Sequence, residues 1–329
     1  MDRRALMSTL TGAALAAAIG PVWANSPVRP FRRIQEMAED PPEELQYATS
    51  TTLDRIGRIM APVMVNGQGP FLFVVDTGAS HSTLSPALAA TLEVTANAAD
   101  VVTLNGVTGA AQVPVVHIDS LEAGALLLED QRMPIIWSSI MANADGILGV
   151  AGLTEQRIDV DFRQNTIEIR RSRGGARRSG ALNIRARRIA GGVLLVDGRV
   201  GRQKTAIVFD TGSERTLGNL ALRDALTRRR YRNEATNTEV SGATPHVVEG
   251  ERWLAPTIKL DDLSVGDVEV TFGDFHVFDV WKLQQTPALI LGMDVIGVLE
   301  SVAIDFRRGE ISVVTTDHNP RRWEARGST

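Results

Sequence analysis

The sequence predicts a mostly β protein built from two similar lobes, and three observations carry that expectation. An apolar-apolar-Asp-Thr-Gly pattern occurs twice, as VVDTGAS (Val74–Ser80) and VFDTGSE (Val208–Glu214), 134 residues apart. Three more segments recur in the same order. VTGA (Val107–Ala110) returns as VSGA (Val240–Ala243), GILG (Gly146–Gly149) as LILG (Leu289–Gly292), and VDFRQNTIEI (Val160–Ile169) as IDFRRGEISV (Ile304–Val313). Matches kept in one order indicate a duplicated domain whose second copy carries an insertion of about ten residues. Finally, both copies consist of short β-branched or apolar runs bounded by Gly, Pro and Asn, such as MAPVMV, FLFVV, VPVVHI, MPIIW and IEIR in the first half.

Taken in order, residues 1–24 read as a signal peptide. Arg3 and Arg4 precede an apolar stretch from Ala5 to Ile19, and Val22-Trp23-Ala24 places small residues where a signal peptidase reads. The paired arginines resemble a twin-arginine signal, which predicts export to the periplasm or outside the cell. Residues 25–55 are rich in Pro and charge and are expected to form a leader or linker. Regular patterning starts near Ile56, so the first lobe is placed at 56–172 and the second at 191–316. Residues 173–190 form a basic interlobe linker, and 317–329 a polar tail. Asn66-Gly67 and Asn105-Gly106 mark hairpin turns. Helical patterning is confined mainly to SPALAATLEV and NLALRDALTRR, one just after each Asp-Thr-Gly.

Composition excludes several function classes. The 329-residue chain has 35 basic and 39 acidic residues, a net charge of -4, which gives no general attraction to nucleic acid. After signal cleavage nothing remains that would hold it stably on a membrane. There is no cysteine, so disulfides, thiolate metal sites and cysteine nucleophiles are absent. The five histidines, at 81, 117, 246, 276 and 318, lack metal-ligand spacing. No cofactor or metal is expected.

The two aspartates point to chemistry. An Asp-Thr-Gly at the end of an apolar strand sets a carboxylate in a tight turn, where Gly permits close backbone approach and Thr can tie the turn down. When a duplicated domain pairs with itself about a pseudo-twofold axis, equivalent turns can meet on that axis. Two adjacent carboxyl groups cannot both ionise easily, so they share a proton. The ionised one can then deprotonate a water while the other donates to a carbonyl oxygen, which is a general acid–base pair for amide hydrolysis.

Asp-Thr-Gly-[Ala/Ser]-[Ser/Glu], followed in each half by an apolar pair and Gly, resembles the aspartic peptidases of the pepsin and retropepsin type, over roughly Gly57 to Val314. The resemblance implies a bilobal pepsin-like fold made of two retropepsin-like lobes. It implies Asp76 and Asp210 as the catalytic pair, supported by Thr77, Gly78, Thr211, Gly212 and Ser213. Ile147-Leu148-Gly149 and Ile290-Leu291-Gly292 would brace the two loops, and Thr77 and Thr211 would cross-brace them. The DTGAS form and the missing disulfides look more like bacterial retropepsin-like enzymes than stomach pepsins. A flap is expected at Asn105–Ala110, with Gly106 and Gly109 and no tyrosine. Both half-sites lie in one chain, so a monomer acting on peptide or protein substrates is implied; a pepsin-like scaffold that binds peptides without cutting them is the alternative.

By the same resemblance, a hydroxyl three positions after the aspartate hydrogen-bonds its outer carboxylate oxygen. Ser213 supplies one and Ala79 does not, so Asp76 is expected to hold the shared proton and Asp210 to act as base. Glu214 departs from the pattern, where a small hydroxyl residue is usual. Trp137, Trp253 and Trp281 are expected in the core or at the lobe interface, and Asp145 and Asp294 as caps of backbone turns.

Overall fold

A computed structural model describes residues 48–54, 57–97, 99–137, 141, 143–173, 180–229, 231, 234–315 and 323–324. The signal segment, most of the leader and nearly all of the tail lie outside the described residues.

The fold is all-β, with short helices as punctuation. Each half forms its own sheet. The first runs through strands Ile59–Val65, Gln68–Val75, Val101–Asn105, Ala110–Ala123 and Gly146–Leu148. Its counterpart runs through Leu194–Val200, Gln203–Phe209, Thr236–Ser241, Val247–Leu254 and Ala288–Leu291. The Asn66-Gly67 turn has φ of 50° and 69°, the left-handed pair that a tight hairpin needs, and it joins the first two strands. Pro86–Thr91 and Leu220–Arg228 are the helices after each Asp-Thr-Gly. Ser85 and Asn219 cap them, accepting the N–H of Leu88 and Leu222.

A third sheet of six strands joins the halves. Its order is Ala48–Ser50, Thr166–Arg171, Gln156–Asp161, Ser301–Asp305, Glu310–Val314 and Leu182–Arg185. At its centre the two copies of the repeated VDFR/IDFR segment lie antiparallel, with Ile158 opposite Ile304 and Val160 opposite Val302. These side chains enter one continuous core with Ile167, Ile169, Ile311 and Val313. The repeat is therefore expressed as a pseudo-twofold axis through this sheet.

The same symmetry moves two expected boundaries. The strand Ala48–Ser50 lies within the segment read as leader, and Leu182–Arg185 lies within the segment read as linker. These strands occupy the two opposite edges of the six-stranded sheet. Arg188 is likewise tied down, donating to the carbonyls of Thr154 and Phe306. Within the tail, Trp323–Glu324 adds a short parallel strand beside Leu263–Gly266.

Candidate active site

Asp76 and Asp210 follow directly on strands Gln68–Val75 and Gln203–Phe209. Each strand is flanked in parallel by its lobe's apolar-apolar-Gly segment, Gly146–Leu148 or Ala288–Leu291. Those segments hold the loops by backbone bonds. Asp76 N–H donates to Leu148 C=O and Asp210 N–H to Leu291 C=O, both at 3.0 Å. Past the glycines, Val150 and Ala151 donate to Ala79 and Ser80, and Met293 and Asp294 donate to Ser213 and Glu214. Glu214 thus takes part in the same backbone pattern as Ser80. Its side chain pairs with Arg215 at 3.6 Å, so the departure at this position leaves the loop's backbone bonding as in the first lobe.

Thr77 and Thr211 are buried and reach across the axis. Thr77 Oγ1 donates to Phe209 C=O at 2.7 Å and accepts the Thr211 N–H at 3.1 Å. Thr211 Oγ1 donates to Val75 C=O at 2.6 Å and accepts the Thr77 N–H at 3.2 Å. Each hydroxyl therefore both donates and accepts, leaving no buried backbone group of the two loops stranded between them.

The glycines set the distance between the carboxyl groups. A methyl group on Gly78 would lie 2.5 Å from Asp210 Oδ2, and one on Gly212 would be closer still to the Asp76 carboxyl. Each carboxyl thus sits over the other lobe's glycine. Asp76 Oδ1 accepts the N–H groups of Gly78 and Ala79 at 2.8 and 2.9 Å, and Asp210 Oδ1 accepts that of Gly212 at 2.8 Å.

Burial pushes both carboxyls above the usual carboxylate range, Asp210 well above it. The negative charge of Asp76 adds to the burial of Asp210. At Asp76 the Gly78 and Ala79 N–H groups, a hydrogen bond from Asp210 and the Arg58 guanidinium oppose burial. The pair shares one proton, and these surroundings favour the ionised form at Asp76 more than at Asp210. That direction is opposite to the one expected from Ser213, whose expected hydrogen bond is not the one observed. The Ser213 hydroxyl does not serve the carboxylate; it donates to Arg215 C=O at 2.7 Å, closing a local turn. Ala79 contributes a backbone N–H to Asp76 despite having no hydroxyl.

There are two flap hairpins where one was expected. The expected hairpin of Val101–Asn105 and Ala110–Ala123 turns through Gly106 and Gly109, which are joined by an N–H to C=O bond of 2.8 Å. The hairpin of Thr236–Ser241 and Val247–Leu254 is its counterpart, and the tips meet. Thr108 Oγ1 lies 3.3 Å from Thr244 Oγ1, and side chains on Gly106 or Gly109 would run into Thr244 or His246. The tips also cross over. Val107 packs on a second-lobe cluster that includes Phe275, Val277 and Trp281, while Ala243 packs on a first-lobe cluster with Met60, Val74 and Ile147. Asn105 Oδ1 is 3.0 Å from His276 Nε2. The repeat of VTGA as VSGA was the signal for this second flap, since duplicating a flap tip duplicates the flap.

Of the remaining candidates, His81 is exposed and makes no bond to the pair. Trp253 stacks on Phe272 and Trp281 meets Phe278 edge-on in the second-lobe core, whereas Trp137 is 65% exposed and not a core residue. Among the described residues no group of three or more potential ligands could hold a metal ion.

Asp294 caps a backbone turn beside the second Gly motif, as expected. Its carboxyl accepts Thr216 N–H at 2.9 Å and Thr216 Oγ1–H at 2.7 Å, and Thr216 Oγ1 accepts Gly292 N–H at 3.2 Å. Burial raises its pKa to about 6 against these bonds. An unfolded aspartate titrates near ~4, so between about pH 4 and 6 the folded protein binds the extra proton. Stability from this group is full below that window and is lost as pH rises through it. Asp294→Asn should therefore flatten the profile, gaining about 2–3 kcal/mol on wild type between pH 4 and pH 7. Chemical denaturation of both proteins across that range measures it; parallel profiles would refute it.

The family model described as aspartyl protease matches residues 61–151 and 196–295, together more than half of the chain and one stretch in each lobe. No curated protein matches it. With an Asp-Thr-Gly loop from each matched stretch meeting on the axis, the chain belongs to the aspartyl protease family.

Proposed function

We propose that the protein is an aspartic endopeptidase that hydrolyses peptide bonds with water activated between Asp76 and Asp210. The observation that carries this reading is the pair of carboxyls that the two repeated Asp-Thr-Gly loops set against each other's glycines, in a chain whose two flap hairpins meet at their tips. Asp76 takes a proton from the water as its oxygen attacks the scissile carbonyl carbon, while Asp210 donates its proton to the carbonyl oxygen. Collapse of the tetrahedral intermediate returns that hydroxyl proton to Asp210. The leaving nitrogen takes the proton held by Asp76, and the pair ends as it began. An extended peptide lying between the loops and the flaps suits this geometry, with flap opening needed for entry.

The residue pattern of 1–24 supports export to the periplasm or outside the cell. Among the described residues no helix is long and apolar enough to cross a membrane. Because both half-sites belong to one chain, the active species is a monomer.

Purified mature protein digesting a peptide library between acidic and neutral pH tests the reading, and specific activity should stay constant on dilution. No cleavage at any pH would favour a peptide-binding scaffold. A steep loss on dilution, matched by dissociation in sedimentation, would show that the site needs two chains.

A further inference from the structure

The two carboxyls sit in nearly identical loops, so something outside those loops must make them differ. Carrying the strand registers two positions further locates it. Met60 pairs with Val74, which places Arg58 opposite Asp76; Leu195 pairs with Val208, which places Val193 opposite Asp210. Opposed residues of an antiparallel pair share a face. Both belong to the same kind of turn. Asp54 N–H donates to Arg58 C=O and Gly57 N–H to Asp54 C=O, at 2.9 and 3.0 Å. Ile189 N–H donates to Val193 C=O and Gly192 N–H to Ile189 C=O, at 2.9 and 3.1 Å. One turn thus exists in two chemical forms, ionic in the first lobe and apolar in the second.

The ionic form is buried. Arg58 is 2% exposed, and its guanidinium meets Asp54 through Nη2 at 2.6 Å and Nε at 2.7 Å, while its N–H donates to Asp54 Oδ1 at 2.8 Å. Replacing such a pair by apolar groups is often neutral for stability, so stability alone does not account for it.

We propose that Arg58, resting on the proposed peptidase reading, is the positioning residue that assigns the roles in the pair: anchored by Asp54, it holds the negative charge on Asp76 and leaves the proton on Asp210. The register sets Arg58 opposite Asp76, and its positive charge favours the ionised Asp76. Among the described residues, the other charged groups near the loops are engaged elsewhere. Glu214 and Arg215 pair with each other after the second loop, and Asp294 is bound to Thr216 behind it. Val193, fully buried opposite Asp210, brings no charge.

The test transplants the second lobe's turn onto the first. Asp54→Ile/Arg58→Val removes both charges of this pair at once, and folding is checked by circular dichroism. The readout is 13C titration of the aspartate carboxyls in the full chain, assigned with Asp76→Asn and Asp210→Asn. In wild type Asp76 should ionise first. In the swap its midpoint should rise by about one pH unit and the order of the two should be lost. Asp54→Asn, which removes the compensating charge, should move the midpoint down, and Arg58→Lys should keep the wild-type order. An unmoved Asp76 midpoint in the folded swap, or shifts of the same sign in both charge variants, would overturn the proposal. The titration does not depend on turnover, so a protein that cuts no peptide would defeat the proposed function and still report on Arg58.

Discussion

Asp76→Asn and Asp210→Asn should each lower peptide hydrolysis by about 10³-fold or more, because either change leaves a single carboxyl that cannot be base and acid at once. The fold should survive, and stability should move the other way. Both carboxyls are held above their ordinary range mainly by burial, so each costs stability as pH rises through its folded pKa. An amide of the same shape carries no such cost. Both variants should therefore melt higher than wild type near neutral pH, with the gap closing in acid where the carboxyls are neutral anyway. The larger gain belongs to Asp210→Asn, since Asp210 is raised further and faces the charge of Asp76. Activity assays and melting curves at two pH values decide the matter. Retained hydrolysis in either variant would break the two-carboxylate mechanism, and a larger gain from Asp76→Asn would reverse the assignment of the proton.

The parts of this site legible in the sequence were those written by repetition and by strand pattern. Apolar runs ending in Asp-Thr-Gly, and the later apolar-apolar-Gly, declare two loops and their braces because the same residues must recur to build equivalent loops. The lobe boundaries were less legible. Strands of three or four residues, such as Ala48–Ser50 and Leu182–Arg185, are too short to show a clear alternation of their own, and they exist only because the interlobe sheet offers them a partner. The second flap hid in polar residues, TNTEVS, whose strand identity comes from pairing across a hairpin. Ser213 shows a different limit. A hydroxyl in a tight turn chooses between a carboxylate and a nearby carbonyl, and the Arg215 carbonyl wins by local geometry that residue type does not encode. Arg58 is the same kind of case, since only the register shows which aspartate it faces.

Close approach of the carboxyls depends on the glycines, and the size of that dependence is testable. Gly78→Ala would put its methyl against Asp210 Oδ2, and Gly212→Ala would put one against Asp76. Neither obstacle is a flexible side-chain end. Both carboxyls are fixed by backbone N–H groups of loops that Thr77 and Thr211 tie together, so relief requires the lobes to part. Overpacking of this kind costs about 1–3 kcal/mol of stability. The catalytic loss should be greater, about 10²-fold or more, because an ångström of separation spoils both the shared proton and the placement of the water. The contact itself can be isolated by a cycle. In an Asp210→Ala background the new methyl on Gly78 finds the space the carboxyl vacated, so the stability cost of Gly78→Ala should largely disappear. A cost that persists unchanged in that background would mean that the glycine serves the backbone of its own loop, and that the spacing of the two carboxyls is set elsewhere.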